Sequence, residues 1–208
     1  MDSAYKLARQ QGLSLRVFEY SPQTDTWADI GSAPRSYTHA QTFDGRIYTL
    51  SSSSAYIDVF DPLTKLWSQA NPRPNTATVR DMKALAGKLY LICNDNNVYC
   101  YDPADNSWLA TDIGLSPSFA APIYKDLYLL YAAFSDESKN IRKYSPEERM
   151  LSTYRSYLHG YNRIYQIHTV NNKAYIFAGY DSQTGATATL EYMPSVSPWA
   201  EKACLTFY

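Results

Sequence analysis

Three arginines stand beside aromatic or acidic neighbours at well separated points of the 208-residue chain: Arg35 with Tyr37, Arg80 with Asp81, and Arg163 with Tyr161. A guanidinium is a planar fork that grips carboxylates, and Arg and Tyr concentrate binding energy at protein interfaces. Such a set suits an acidic peptide. Phe119, Phe134 and Tyr180 add aromatic surface, next to small polar stretches at 52–54, 94–97, 134–139 and 180–184. Other chemistries find less material. His39, His159 and His168 lack metal-ligand spacing, alone or with Cys93 or Cys204. There is no Gly-rich phosphate loop and no GxSxG nucleophile turn. Asp61 and Asp102 look like paired acids until they are recognised as turn residues of a repeat. The expectation is a binding protein, not an enzyme, without cofactor or metal. The polar stretch Tyr131–Asn140 is either a phosphorylation target or a solvated loop.

The elements that must position these residues show in a recurring segment. VYCYDPADNSW, Val98–Trp108, reads as a strand, a tight turn at Asp102-Pro103 and a second strand. Pro presets the turn dihedral, and Asp102 and Asn106 can bond nearby backbone. Equivalent segments end at Trp27, Trp67, Leu151 and Trp199. The prolines are Pro22, Pro62, Pro103, Pro146 and Pro194, at intervals of 40, 41, 43 and 48 residues, each five residues before its Trp or Leu. A second mark has the same period. GRIYTL, GKLYLI, KDLYLL and NKAYIF carry Tyr48, Tyr90, Tyr128 and Tyr175. Two marks in one order at a period of about 40–50 residues mean a propeller or solenoid. Abundant Tyr, Val, Ile and Leu between turn residues favours strands. Four Trp at one repeat position point to packing between neighbouring blades, as does the Tyr of each Tyr strand.

The unit PRSYTHAQTFDGRIYTL…IDVFDPLTKLW resembles the kelch repeat, including Arg35, His39 and Gly45. The resemblance covers almost the whole chain. It departs at the Gly pair that ends the family's Tyr strand. Here those positions are Ser51-Ser52, Cys93-Asn94, Tyr131-Ala132 and Ala178-Gly179, so only Gly179 keeps the backbone freedom of glycine.

The resemblance implies an all-β kelch-type β-propeller of four-stranded blades, and the five units counted in this chain make the expectation a five-bladed ring in a single domain, 1–208. The units are about 1–30 plus 203–208, 36–70, 77–111, 118–154 and 161–202. Within the second unit, strands are expected near Thr38–Phe43, Arg46–Leu50, Tyr56–Phe60 and Leu66–Gln69. The C-terminal ACLTFY resembles AQTF before Gly45, so it is expected to close the first blade and remove a free sheet edge. A truncated piece of a larger ring is the alternative.

Length and composition are compatible with one substantial core. A formal net charge of −1 gives no bulk attraction to nucleic acid or an acidic membrane. No run of 18 apolar residues predicts a membrane span, and MDSAYKLARQQG lacks a signal-peptide core. Three cysteines without tight spacing fit reduced thiols. The expected location is cytoplasmic or nuclear.

In kelch proteins one loop face commonly binds the partner. The resemblance therefore implies a partner-binding set of Arg35, Tyr37, Arg80, Asp81, Phe119, Phe134, Tyr161, Arg163 and Tyr180. It also implies a role as substrate receptor of a cullin-based ubiquitin ligase, linked through a BTB or F-box segment not present in this stretch. A carbohydrate-directed kelch module and an actin scaffold are the other readings.

Overall fold

In a computed structural model, residues 4–9, 15–131, 140–156, 161–181, 187–193 and 197–205 are described. Every regular element among them is a strand. The chain forms two compact units, Met1–Arg73 and Pro74–Tyr208.

The first unit holds two antiparallel sheets. One contains β1 (Ala4–Arg9), β2 (Leu15–Ser21) and β3 (Thr26–Ser32), in that order. The other contains β4 (His39–Phe43), β5 (Arg46–Leu50), β6 (Asp58–Asp61) and β7 (Leu66–Gln69). Val17, Ile30, Ala33, Ile47 and Phe60 form the core between them.

The second unit holds three four-stranded blades, each in chain order. They are β8 (Val79–Leu85), β9 (Lys88–Cys93), β10 (Asn97–Asp102) and β11 (Ser107–Asp112); β12 (Phe119–Ile123), β13 (Asp126–Leu130), β14 (Asn140–Ser145) and β15 (Met150–Ser156); and β16 (Tyr161–Val170), β17 (Lys173–Asp181), β18 (Thr187–Met193) and β19 (Ser197–Leu205). Strand β12 adjoins both β8 and β16, so the first strands of these blades are neighbours. This is the packing of propeller blades.

The repeat marks have structural causes. The turn before three of the Tyr strands is a two-residue hairpin with left-handed backbone, at Asp44-Gly45, Ala86-Gly87 and Asn171-Asn172. Such turns match the twist of the flanking strands. The Pro turns place their fourth residue in the left-handed region four times, at Asp25, Lys65, Asn106 and Arg149. Asp61 Oδ1 accepts the amides of Leu63 and Thr64, which holds one such turn.

Three of the Tyr strands, β5, β9 and β13, are buried on both faces. Tyr48, Tyr90 and Tyr128 are each within 5% of full burial. Acids inside this layer are paired. Asp126 meets Lys143 at 2.8 Å, and Glu191 meets Lys173 at 3.6 Å and Tyr175 at 2.8 Å. Lys143 lies across from Tyr128, and Glu191 across from Tyr175. The two ion pairs therefore occupy the same repeat positions with their signs exchanged.

The C-terminal segment differs from expectation. Ala203, Cys204 and Leu205 pair with Thr189, Ala188 and Thr187 of β18. They extend the outer strand of the last blade and are not the first strand of the N-terminal sheet, which has three strands among the described residues. The physical reason is length: β19 continues for nine residues along β18, past register shifts that absorb the extra chain.

The tryptophans are less uniform than their repeat position suggests. Trp67 packs on Phe60 and Tyr37, and its indole N–H donates to Ser32 O of the preceding sheet at 2.9 Å. That is the expected contact between blades. Trp27 instead leans on Tyr20 and stays 51% exposed. Trp67→Ala is expected to cost about 3 kcal/mol and Trp27→Ala about 1 kcal/mol, because the loss scales with burial. Urea denaturation of the two variants checks the ranking.

Candidate partner-binding face

In the first unit, the face is built around Asp58. Its side chain is buried at the start of β6, where the alternating pattern calls for an apolar residue. Three side chains satisfy it. Arg35 Nε lies 2.7 Å from Oδ2, the Tyr37 hydroxyl donates to Oδ2 at 2.8 Å, and Gln69 Nε2 donates to Oδ1 at 3.0 Å. Burial and the Asp58 carboxylate push the Tyr37 phenol well above the ordinary tyrosine range. Arg35 keeps 40% of its side chain in solvent, but its charge is already matched. It therefore serves as a structural clamp within the blade.

Arg73 performs a related task. It is buried, and its guanidinium donates to the carbonyls of Ser54 and Ser52 at 2.7 and 3.3 Å. Its own amide bonds Ala55 O at 2.8 Å. The loop 51–56 is thus pinned without the glycine pair of the repeat pattern.

In the second unit, the third blade replaces Asp58 with Tyr99. Its hydroxyl donates to Asp95 at 2.6 Å, and Asn75 donates to the same carboxylate at 2.7 Å. Burial opposes ionisation of Asp95, yet the hydrogen bonds from Tyr99, Asn75 and Asn97 hold its carboxyl below the usual range. Burial and Asp95 together push the Tyr99 phenol far above its usual range.

Arg80 is the extra residue of a β-bulge. Val79 pairs with Cys93 and Asp81 with Ile92, which leaves Arg80 outside the ladder. A bulge re-aims a side chain, and Arg80 is exposed, with Nη1 3.4 Å from Ser118 Oγ of the next blade. Asp81 turns inward. It is buried, accepts the amides of Ala120 and Met82 at 2.8 Å each, and meets Lys83 at 3.0 Å. Asp81 therefore ties β8 to β12. Phe119 is half-buried against the core of the last two blades.

Strand β16 carries a bulge at the same repeat position. Ile164 pairs with Ala178 and Gln166 with Phe177, leaving Tyr165 outside the ladder and 56% exposed. Tyr161 pairs with Asp181 and Arg163 with Gly179, which puts both, and Tyr180, at the same strand end of the last blade. Phe134 lies outside the described residues.

Sequence reasoning passed over Asp58, Arg73 and Tyr165. Asp58 had a signal, a charge in the run IDVF. Tyr165 had one only in the spacing of β16 against β17.

No family model matches the chain. A protein described as an F-box/kelch-repeat protein of Arabidopsis thaliana is 26% identical over 93 residues, covering 43% of this chain and 27% of the relative. Kelch-like protein 21 of Danio rerio is 27% identical over 100 residues, 43% of this chain and 16% of the relative. The human Kelch-like protein 21 is 27% identical over 111 residues, 48% of this chain and 19% of the relative. The repeats are similar to those of these kelch-repeat proteins. The match spans at most about a quarter of the length of these kelch relatives.

Two predictions test this scaffold. Asp58→Ala should destabilise by about 2–3 kcal/mol, more than Arg35→Ala at about 1 kcal/mol, since the first strands a buried clamp and the second loses a half-exposed one. Chemical denaturation ranks them. Tyr37 and Tyr99 have folded-state pKa values above the unfolded value near 10. The folded chain keeps protons there that the unfolded chain releases, so their stabilisation is whole below about pH 10 and declines as pH rises further. The melting temperature followed from pH 8 to 11 should fall at the alkaline end, less steeply in Tyr37→Phe.

Proposed function

We propose that the chain recognises a protein partner through the loop ends of its blades, with Arg80 and Tyr165 as contact residues in the second unit. The observation that carries this reading is the pair of β-bulges at one repeat position. Each removes a side chain from the ladder and turns it to solvent, one a guanidinium and the other a phenol. These are the two side-chain types that dominate interface energetics, and the bulge gives each a fixed backbone. Phe119 adds a half-buried ring on the intervening strand. The preferred partner is a short segment combining a carboxylate for Arg80 with an apolar or planar group for Tyr165. Arg163, Tyr161 and Tyr180 belong to the proposed face by strand position.

The kelch relatives support a protein-interaction module. One of them is named for an F-box as well. We extend this to a substrate-recognition role for a cullin-based ubiquitin ligase adaptor in the cytoplasm or nucleus, in which a BTB or F-box segment supplies the ligase contact. Binding, not catalysis, is the role proposed.

Capture of partners from cell lysate, read by quantitative mass spectrometry, tests the face. An Arg80→Ala/Tyr165→Ala variant with unchanged melting temperature should lose specific partners by about tenfold or more. An unchanged partner profile would refute this face.

A further inference from the structure

A cavity of about 390 Å³ opens between the third and fourth blades, at the end of β8 opposite the bulge. Its floor is Tyr90, Cys100 and Tyr144. Tyr90 lies across from Cys100 in the β9–β10 ladder, and the Tyr144 hydroxyl reaches Thr111 of the third blade at 3.1 Å. Burial pushes both phenols and the thiol above their ordinary ranges, so the floor is uncharged at neutral pH. The rim is cationic. Lys88 is matched by Asp102 at 2.5 Å and Lys125 by Glu147 at 3.1 Å. Arg149 also lines the cavity, exposed in its left-handed turn, and has no ion pair or hydrogen bond among the described residues.

We propose that this cavity binds a small carboxylic acid, with a one- or two-ring apolar body on the Tyr90–Cys100–Tyr144 floor and the carboxylate on Arg149. The volume is at the lower end of small-molecule sites, which are mostly apolar with a few placed polar groups. Arg149 offers the fork that a carboxylate fits. The two lysines add positive potential but are held by their own acids, which leaves the guanidinium to fix orientation. The site is separate from the proposed partner face, since it lies at the hairpin turns and not at the bulged strand ends.

The test uses 2-naphthoate as probe and N-ethylmaleimide labelling of Cys100, read by peptide mass mapping, with buried Cys93 as internal reference. Naphthoate should slow labelling of Cys100 severalfold, with a Kd of about 1 mM or tighter for a ligand of this size. Arg149→Asn removes the charge and suits the left-handed backbone, and it should weaken protection about tenfold. The uncharged 2-naphthylmethanol should protect as weakly on the native chain. No protection by saturating naphthoate would overturn the site. Equal protection by the alcohol, or by naphthoate on a folded Arg149→Asn variant, would overturn the role of Arg149.

Discussion

The second strands β5, β9 and β13 are covered on both sides, and most of the architecture follows from that burial. A sheet with one wet face can stand alone on a polar exterior. A sheet whose inner strands read Ile47–Leu50, Leu89–Cys93 or Asp126–Leu130 as unbroken buried runs cannot. It needs apolar neighbours on both faces, and another copy of the same unit provides them. The hydrophobic term is therefore shared between adjacent blades, and the clusters that join the fourth and fifth units, and the third and fourth, are single bodies of side chains.

Burial on both faces sets terms for any polar group in the layer. Such a group must find a partner. Asp58 takes Arg35, Tyr37 and Gln69, Asp81 takes the Ala120 amide of the next blade together with Met82 and Lys83 of its own strand, and Asp126 and Glu191 take lysines. In each case at least one residue that satisfies the acid comes from another strand or the loop before the blade. Polar clamps thus join the local hairpins to the longer-range packing. Arg73 does this most directly, by holding the 51–56 loop through its carbonyls.

How much of this could be read from the chain depends on which interactions are local. The Pro-to-Trp spacing and the Tyr strands are local, and β5 and β7 fall at the expected limits Arg46–Leu50 and Leu66–Gln69. The bulges at Arg80 and Tyr165 are not local, because an extra residue in one strand is defined only against its partner. The fate of Ala203–Leu205 was hidden for a similar reason. Those residues resemble a first strand, yet continuing an existing ladder along β18 costs less ordering than joining a distant edge. Asp58 was visible as a charge in an apolar run, but its role depends on Gln69 and Arg35, eleven and twenty-three residues away.

The exchanged ion pairs bear on how a chain of look-alike units sorts its strands. Repeats with similar sequences are prone to pair with the wrong neighbour while folding. If β13 paired with β18 in place of β14, Asp126 would approach Glu191. If β17 paired with β14, Lys173 would approach Lys143. Each error brings like charges together, for Asp126 and Glu191 in a buried layer where repulsion is strongest. The native pairings alone bring opposite charges together. Two blades that share a backbone plan thus carry a lock that makes each hairpin accept its own third strand and reject its neighbour's.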